Sequence, residues 1–553
     1  MRRAVRKRDG KGTYAPTGQL PGALAWALVG AALLFVAVVR IRLLNVPLER
    51  DEGEFAYVGQ LILQGIAPYK LAYNMKLPGI YAAYALVMAV FGQSIVGIHL
   101  GLLLVNAGAI VLVFLLGRRL FGPLTGVIAC ASYAVLSTGR PGLVMAAHAT
   151  HFVVLFALGG ILTLLKALDK DRPATFFWSG LLLGLAFTMK QPGAFFIVFA
   201  LFYLVWTRLR VQPIRWGGLA ARSGALIGGA AIPFALSCFI LWRAGVFERF
   251  WFWAFRYGHE YATMLSLNVG VQALRAEAPR AIGVNWPLWS LGALGLAALI
   301  IDKALRPRAV FMAALLVLSC CAVSVGMYFR QHYFVMMLPA VALLCGCAVS
   351  AAYRLIRGTR KLRRLALVPA LILLAALAYP VWKQRDFYFR ASPTEVARMF
   401  YGMNPFPESI EVARYIREHA SKADRIAVLG SEPQIYFYTR LHSATGYIYM
   451  YPLMEKQKYA LQMQEEMIGE IEHVRPRYIV LVGTPDSISW FWMPYSQTRI
   501  IKWYPGYIGQ HYEIVGLADS VAPDYTVYYW GRDAASEEPT SGEFIAVFER
   551  KGR

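Results

Sequence analysis

The chain has 553 residues, of which 58% are hydrophobic and 16% charged, and its mean hydropathy is +0.47. A water-soluble globule could not bury that much apolar surface, whereas helices of about 20 apolar residues each use it directly. This composition excludes a soluble protein of several domains and predicts a polytopic helical membrane protein. The net charge of +24 does not indicate nucleic-acid binding, because the basic residues form short clusters between apolar runs.

Apolar runs predict about eleven transmembrane helices, at 23–44, 95–117, 124–139, 148–166, 176–190, 193–207, 218–242, 285–301, 309–328, 333–352 and 365–382. A further apolar run, 78–91, is interpreted as lying along the outer surface. This threading places most Lys and Arg clusters in the cytoplasm, in agreement with the positive-inside rule. It predicts a cytoplasmic N-terminus and an outer location for everything after about residue 383.

Three regions follow from this threading: a basic cytoplasmic head at 1–22, a transmembrane domain at 23–382 with an outer loop at 45–94, and an extracytoplasmic domain at 383–553. The last region is more polar and alternates helical with strand-like patterns. Helices are predicted near 408–420 and 455–474, and strands near 425–429, 478–482, 512–515 and 544–548. This alternation predicts a C-terminal α/β domain.

Four carboxylates stand together after the first span, in Glu49-Arg50-Asp51-Glu52-Gly53-Glu54. Ionisable groups beside the hydrocarbon region are costly and are commonly functional. The alternative is a set of acids that stabilise the start of a helix, where the dipole favours negative charge. The local pattern leaves both interpretations open.

A second motif, Asn74-Met75-Lys76-Leu77-Pro78-Gly79-Ile80-Tyr81, follows about 25 residues later, and the next apolar run closes with Phe91-Gly92. Together with the acid motif, these segments resemble the first outer loop of the GT-C glycosyltransferases. Within that superfamily they resemble glycosyltransferase family 39-like proteins, which include protein O-mannosyltransferases and lipid A aminoarabinose transferases. The resemblance extends through Thr188-Met189-Lys190-Gln191-Pro192-Gly193, Arg330-Gln331-His332-Tyr333-Phe334 and the segment 424–436.

The resemblance implies an inverting hexosyl- or pentosyltransferase of the bacterial inner (plasma) membrane. Its donor would be a polyprenyl-phosphate-linked sugar, and its extracytoplasmic acceptor a glycolipid, a polysaccharide or a protein. The alternative is a transporter or flippase of lipid-linked sugars. Transporters usually show internal repeats and ionisable groups near the bilayer midplane, whereas here the charged motifs cluster at one face and no repeat is visible. A non-catalytic scaffold is a third possibility.

The same resemblance suggests roles for individual residues. Asp51 matches the carboxylate that draws the proton from the acceptor hydroxyl, with Glu52 as the second candidate. The candidates for binding the leaving phosphate are Lys76, Arg256, Arg330, His332 and Tyr333. Lys76 could instead anchor at lipid headgroups, and the loop around Arg256 could be an interfacial aromatic belt. Further possible site residues are Glu54, Tyr57, Tyr81, Arg140, His148 and Lys190.

Two departures from the family pattern bear on metal binding. The loop at 139–148 lacks the aspartate that many relatives carry, and Met75 stands where aminoarabinose transferases have an acid. No metal site is therefore predicted; a divalent metal is possible but not favoured, and direct phosphate binding by Lys or Arg is expected instead. The departures also argue against lipid A aminoarabinose transfer as the specific activity. The tyrosines at 436–451 are expected to pack a small core more than to stack on sugars.

Overall fold

The computed structural model describes residues 20–488 and 496–552, so most of the predicted basic head at 1–22 lies outside the described residues. The described chain contains a helical bundle followed by a mixed helix and strand region. Its α-helices are α1 Gly22–Arg42, α2 Arg50–Leu63, α3 Pro78–Phe91, α4 Ile95–Phe121, α5 Pro123–Leu136, α6 Ala149–Lys170, α7 Pro173–Met189, α8 Ala194–Leu209, α9 Trp216–Arg243, α10 Phe247–Trp251, α11 Gly258–Thr263, α12 Leu267–Ile282, α13 Trp286–Ile301, α14 Ala309–Ser324, α15 Leu338–Gly358, α16 Val368–Lys383, α17 Arg385–Phe389, α18 Pro393–Tyr401, α19 Phe406–His419, α20 Gln434–Thr439, α21 Tyr451–Met454, α22 Ala460–Val474, α23 Pro485–Ile488, α24 Arg499–His511 and α25 Arg532–Ser536. Short 3-10 or π segments join several of them, among them the π-helix Phe252–Tyr257 and the 3-10 helix Gln331–Met337.

Within residues 20–488 and 496–552, nine helical segments are long and apolar enough to cross a membrane: Gly22–Arg42, Ile95–Phe121, Ala149–Lys170, Gln191–Leu209, Trp216–Arg243, Leu267–Ile301, Arg306–Met327, Gln331–Gly358 and Arg363–Lys383. They coincide with nine of the eleven predicted spans. The other two, 124–139 and 176–190, correspond to the shorter apolar helices α5 and α7. The prediction of a multi-pass helical membrane protein is confirmed, with two helices shorter than a usual span.

The short helix α7 is held inside the bundle by close packing on α6 and α9. A Cβ atom on Gly180 would lie 2.0 Å from the carbonyl oxygen of Leu226, and one on Gly184 would lie 2.3 Å from that of Ala230. Two glycines four residues apart therefore form a flat strip on which the α9 backbone rests. Packing through small residues is a common way for membrane helices to associate.

The C-terminal region contains a six-stranded mixed sheet, as the predicted α/β class requires. Its strands are β1 Arg425–Leu429, β2 His442–Ser443, β3 Tyr478–Val482, β4 Tyr512–Ala522, β5 Tyr525–Trp530 and β6 Phe544–Arg550. The order is β2-β1-β3-β6-β4-β5, with β1 parallel to β2 and β3, and with β6 antiparallel to β3 and β4. The parallel pair β1 and β3 is joined through helices, as a parallel connection demands. The strands β2 and β5 were not predicted.

The C-terminal region packs directly on α2, the helix that carries the acid motif. Tyr57 of α2 stacks on Tyr436 with ring centroids 5.2 Å apart, and its hydroxyl accepts a hydrogen bond from the backbone N–H of Ser443 at 2.8 Å. A Cβ atom on Gly53 would lie 2.5 Å from the backbone nitrogen of Gln434. The absence of a side chain at Gly53 therefore lets α20 approach α2.

We expect Gly53→Ala to destabilise the protein by about 1–3 kcal/mol, because the new methyl group must displace backbone rather than a flexible side chain. The measurement is thermal unfolding of the purified protein in detergent. Gly224→Ala in α9 is the matched control, since a Cβ atom there meets nothing within 4 Å. A Gly53→Ala melting temperature equal to that of the control would contradict the close packing of α2 and α20.

Candidate active site

The acid motif begins a helix and also faces a cavity. Glu49 is the N-cap of α2, and its carboxylate accepts the backbone N–H of Glu52 at 2.9 Å, while the Glu52 carboxylate accepts the N–H of Glu49 at 3.2 Å. This reciprocal capping box satisfies two N–H groups that a helix start leaves unpaired. Asp51 lies in the first turn, where the helix dipole favours a negative charge. The acids therefore cap the helix, which is one of the two alternatives left open by the sequence, while Glu49 and Asp51 also line a cavity.

Asp51 is the centre of a charged cluster built from four separate segments. Lys76 Nζ donates to Asp51 Oδ1 at 3.0 Å. On the other side, Oδ2 lies 3.7 Å from Nδ1 of His148 and 3.9 Å from Nε2 of His332. The two imidazole rings stack with centroids 4.2 Å apart. The fold thus brings together four residues that the sequence predicted as site candidates.

The carboxylates of this motif differ in their tendency to ionise. Burial alone would raise the pKa of Asp51, but the charge of Lys76, together with the nearby His148 and His332, holds it well below its ordinary value. Burial raises the pKa of Glu49 to about 7, and the nearby charges of Asp51 and Glu52 add to this. Asp51 is therefore an anion throughout the physiological range, whereas Glu49 exchanges a proton near neutrality.

The cluster opens into a cavity of about 540 Å³. From the bundle its walls include Glu49, Asp51, His148, Arg330 and His332. The opposite side is largely aromatic and comes from the segments after α16, with Phe400, Tyr401, Phe406, Tyr449 and Tyr451. Concave sites that combine apolar walls with a few converging polar groups are typical of small-molecule binding. An ionised carboxylate and a guanidinium face the same space.

Glu52 does not line this cavity, although the sequence suggested it as a second reacting group. Its side chain is 2% exposed, and Oε1 contacts His99 Nε2 at 3.1 Å and accepts the backbone N–H of Ala147 at 2.6 Å. Because Ala147 precedes His148, this bond fixes the position of the imidazole beside Asp51. Glu52 therefore holds the residue before His148 and is not part of the cavity wall around Asp51.

A buried arginine, Arg40, also contacts the loop that leads to His148. Arg40 of α1 is 3% exposed and donates to the carbonyl oxygens of Ser137 at 2.9 Å and Val144 at 3.0 Å, and to Asn106 Oδ1 at 3.0 Å. The first carbonyl belongs to the residue that directly follows α5, and the second to the loop that leads to His148. The Arg40 guanidinium therefore fixes the positions of both carbonyl groups.

Glu54 lies deeper than Asp51 and is fully buried. It accepts hydrogen bonds from Asn74 Nδ2 at 2.9 Å and from the Tyr81 hydroxyl. Burial raises the pKa of Glu54 to about 8, even though Lys76 lies near enough to lower it. Glu54 and Tyr81 therefore connect α2 to the segment around Lys76 and α3 without facing the cavity.

Lys190 lies behind the cluster, between α7 and the 3-10 turn Gln191–Gly193. Its Nζ is 3.9 Å from the centroid of the Tyr333 ring. Burial and repulsion from Lys76 lower the pKa of Lys190 well below its ordinary value. Lys190 and Tyr333 therefore belong to the surroundings of Lys76 and do not contact Asp51.

Three other predicted residues lie away from the cavity. Arg256 is exposed on the π-helix Phe252–Tyr257. Arg140 is exposed, and it binds Gln384 through its backbone N–H at 2.8 Å and the carbonyl of Met399 through its guanidinium at 2.9 Å. Tyr57 is buried against the C-terminal region, as described above. None of the three lines the cavity around Asp51.

One oxygen of Asp51 and one nitrogen each of His148 and His332 all lie within 4.8 Å of one another, so these residues could hold a divalent cation. Three protein ligands with an open fourth position is the pattern of catalytic zinc sites. However, Lys76 already balances the charge of Asp51 through its other oxygen. The preference for a site without a metal stays a prediction.

Sequence analysis missed Glu49 and the aromatic residues of the far wall. Glu49 belongs to the acid motif, but only the geometry of the capping box shows that it shares the cavity with Asp51. Tyr449 packs in the hydrophobic core, as expected, but it also lines the cavity, and its buried hydroxyl has no hydrogen-bond partner among the described residues. By contrast, the hydroxyls of Tyr436 and Tyr447 are used within the C-terminal region, as expected.

The chain is similar in sequence to known glycosyltransferases. Residues 76–242 match the family described as dolichyl-phosphate-mannose-protein mannosyltransferase. The chain is 28% identical over 367 residues to an undecaprenyl phosphate-alpha-4-amino-4-deoxy-L-arabinose arabinosyl transferase of Pseudomonas aeruginosa, and 27% identical over 368 residues to that of Pseudomonas paraeruginosa. Each match covers 61% of this chain and 63% of the relative, and the chain thus spans less than two thirds of the relative's length.

Solved structures share the fold across almost the whole chain. ArnT from Cupriavidus metallidurans, solved bound to undecaprenyl phosphate, superposes with a TM-score of 0.56 at 14% identity, covering 96% of this chain and 98% of that one. The oligosaccharyltransferase AglB from Archaeoglobus fulgidus superposes with a TM-score of 0.54 at 11% identity, covering 92% of this chain and 74% of that one. At these sequence identities, the structural similarity shows the fold alone. It confirms the fold class expected from the outer-loop motifs, a helical membrane protein of the GT-C type with a small C-terminal sheet.

Proposed function

We propose that the protein is an inverting glycosyltransferase that moves a sugar from a polyprenyl-phosphate donor to an extracytoplasmic acceptor. The observation that carries this proposal is the cavity in which an ionised Asp51, fixed by Lys76, shares a wall with Arg330. Anionic and cationic groups that face one space are what the reaction needs, because a proton must leave the acceptor while a phosphate departs from the sugar. The names of the relatives, which include undecaprenyl phosphate, support the class of donor.

The proposed location is the bacterial plasma membrane, with the N-terminus in the cytoplasm and the cavity and C-terminal region outside. The last turns of α4, α6 and α8 carry Arg118, Arg119, Lys170 and Arg208, at the end of the bundle opposite to Asp51. The positive-inside rule favours the cytoplasm for that end. Lipid-linked donor and acceptor would then meet on the outer face.

In the proposed reaction, the acceptor hydroxyl attacks the anomeric carbon and its proton passes to Asp51. The bond between the anomeric carbon and the phosphate oxygen breaks, and its electron pair stays on the polyprenyl phosphate. Arg330 holds that phosphate, since a planar guanidinium offers it paired donors. Lys76 contacts Asp51 directly, so we assign it the positioning and ionisation of this carboxylate rather than the phosphate contact suggested by the motif.

The test uses purified protein with polyprenyl-phosphate sugars that differ in the sugar, together with envelope extracts as acceptors. Release of free polyprenyl phosphate with transfer of one sugar, followed by mass spectrometry, would identify donor and acceptor together. Movement of intact donor across proteoliposome membranes without cleavage would instead support the flippase alternative and overturn the proposal.

The pH dependence separates Asp51 from Glu49 as the proton acceptor. Because the pKa of Asp51 lies well below its ordinary value, we expect kcat/KM to be independent of Asp51 titration from pH 5 to 8. A loss of activity as the pH falls through about 7 would match the pKa of Glu49. If Glu49→Gln, whose amide oxygen still caps α2, has a very low kcat/KM at every pH from 5 to 8, the base is Glu49 and the assignment to Asp51 is wrong.

A further inference from the structure

A second polar cavity, of about 420 Å³, lies at the end of the bundle opposite to Asp51. It is formed by the last turns of α4, α6 and α8 and by Arg308, which directly precedes α14. Helix α6 begins next to His148 and reaches this cavity after 22 residues, which separates the two sites by about 33 Å. The second cavity is therefore distinct from the candidate active site.

Three arginines line this cavity: Arg119, Arg208 and Arg308. Arg119 pairs with Asp169, which is the acid of the lining and is 65% exposed, and it also donates to the carbonyl of Leu165 at 2.9 Å. Arg308 lies beside the hydroxyl of Tyr203 and forms no ion pair within residues 20–488 and 496–552. The lining therefore carries more positive than negative charge.

Arg208 shares its carboxylate partner with another arginine. Asp171 accepts two hydrogen bonds from Arg222, at 2.6 and 2.7 Å, and also pairs with Arg208. The Nε–H of Arg208 is buried and has no hydrogen-bond acceptor in the described part of the chain. Arginines at the C-terminal end of a helix interact favourably with the helix dipole. That interaction does not give the Nε–H of Arg208 a hydrogen-bond acceptor. A buried N–H without a partner is costly, which points to an acceptor supplied from outside.

The remaining lining identifies the kind of acceptor. Leu120, Leu165, Leu168 and Val211 form an apolar side beside the arginines. Guanidinium groups match phosphate oxygens through paired donors. Basic pockets between membrane helices at the cytoplasmic level suit anionic lipid headgroups. We infer that this arginine pocket binds the phosphate of an anionic phospholipid, with the first part of its acyl chains along the leucines.

The experiment is a native mass spectrometry titration of the purified full chain with phosphatidylglycerol, and with phosphatidylcholine as the zwitterionic comparison. Removing one arginine near the membrane surface weakens anionic lipid binding about fivefold. We expect Arg208→Gln/Arg308→Gln to bind phosphatidylglycerol about 25-fold more weakly than the wild type. The single variant Arg308→Gln keeps every ion pair of the pocket, so it provides a test that does not depend on the folding of the double variant; it should lose about fivefold.

Arg357→Gln is the matched control. Arg357 is exposed near the same end of the bundle, contacts Tyr353 and does not line the pocket. It should bind phosphatidylglycerol like the wild type. Equal losses in Arg357→Gln and Arg308→Gln would overturn the inference, because they would indicate general surface charge. Equal binding of phosphatidylcholine, or displacement of the lipid by millimolar inorganic phosphate, would overturn the assignment to an anionic lipid.

Discussion

Asp51→Asn should lower kcat by about 100- to 10,000-fold while the protein remains folded. Asparagine has the same shape, but it cannot accept a proton and does not carry the charge that faces the sugar. The cap of α2 is retained, because it depends on Glu49 and Glu52 rather than on Asp51. Turnover of a polyprenyl-phosphate sugar, measured as released polyprenyl phosphate, is the quantity to compare.

Asp302→Asn is the matched control for this variant. Asp302 forms a similarly half-buried ion pair with Arg354 at 2.6 Å, in the part of the bundle that holds the basic helix ends. The same change of carboxylate to amide there should leave kcat within about twofold of the wild type, because surface-near ion pairs contribute little. Full turnover by Asp51→Asn would remove the proposed acceptor of the proton.

Lys76→Met should lower kcat/KM by about 100- to 1,000-fold, the usual effect of removing one preorganised charge from an active site. It should also change the pH profile. Since Lys76 is the strongest influence holding the pKa of Asp51 down, its loss moves that pKa upward, and activity should then fall as the pH is lowered through the new value. The measurement is kcat/KM against pH for the wild type and the variant.

Lys76→Arg should restore part of the activity and the flat profile, because it keeps the positive charge beside Asp51. Lys303→Met, an exposed lysine at the other end of the bundle, controls for loss of charge alone. A higher KM for the donor with unchanged kcat would show that Lys76 contributes uniform binding to the phosphate. In that case its role as the positioning residue for Asp51 would be wrong.

Much of the bundle could be predicted from sequence, because length and hydropathy are properties of single segments. The nine long spans follow from apolar runs, and the strands β1 and β3 from short apolar runs beside turns. Helix α7 is different, because its 17 residues are fewer than the roughly 20 of a usual span. It is held inside the bundle because Gly180 and Gly184 fit against the backbone of α9. That fit depends on a partner helix, which no local pattern reveals.

The residues of the candidate site also fall into two groups, those that a local motif identifies and those that only the fold brings together. Asp51 and Lys76 could be selected from motifs, because each motif places charged residues in one short outer loop. The stacking of His148 on His332 could not, since it requires the start of α6 and the 3-10 helix Gln331–Met337 to meet. Arg256 is the opposite case: its aromatic neighbours suggest either phosphate binding or an interfacial aromatic belt, and the structure places its side chain on the surface, away from the cavity, so its role stays a prediction.

The contact between α2 and the C-terminal region has a consequence for how proteins of this fold diversify. Tyr449 and Tyr451 complete the cavity from outside the bundle, while Gly53 and Tyr57 connect α2 to the same region. Removing or exchanging that region would expose the buried face of the helix as well as alter the cavity. Recombination between relatives would therefore have to exchange α2 together with the C-terminal region that carries Tyr449 and Tyr451, as one inherited unit.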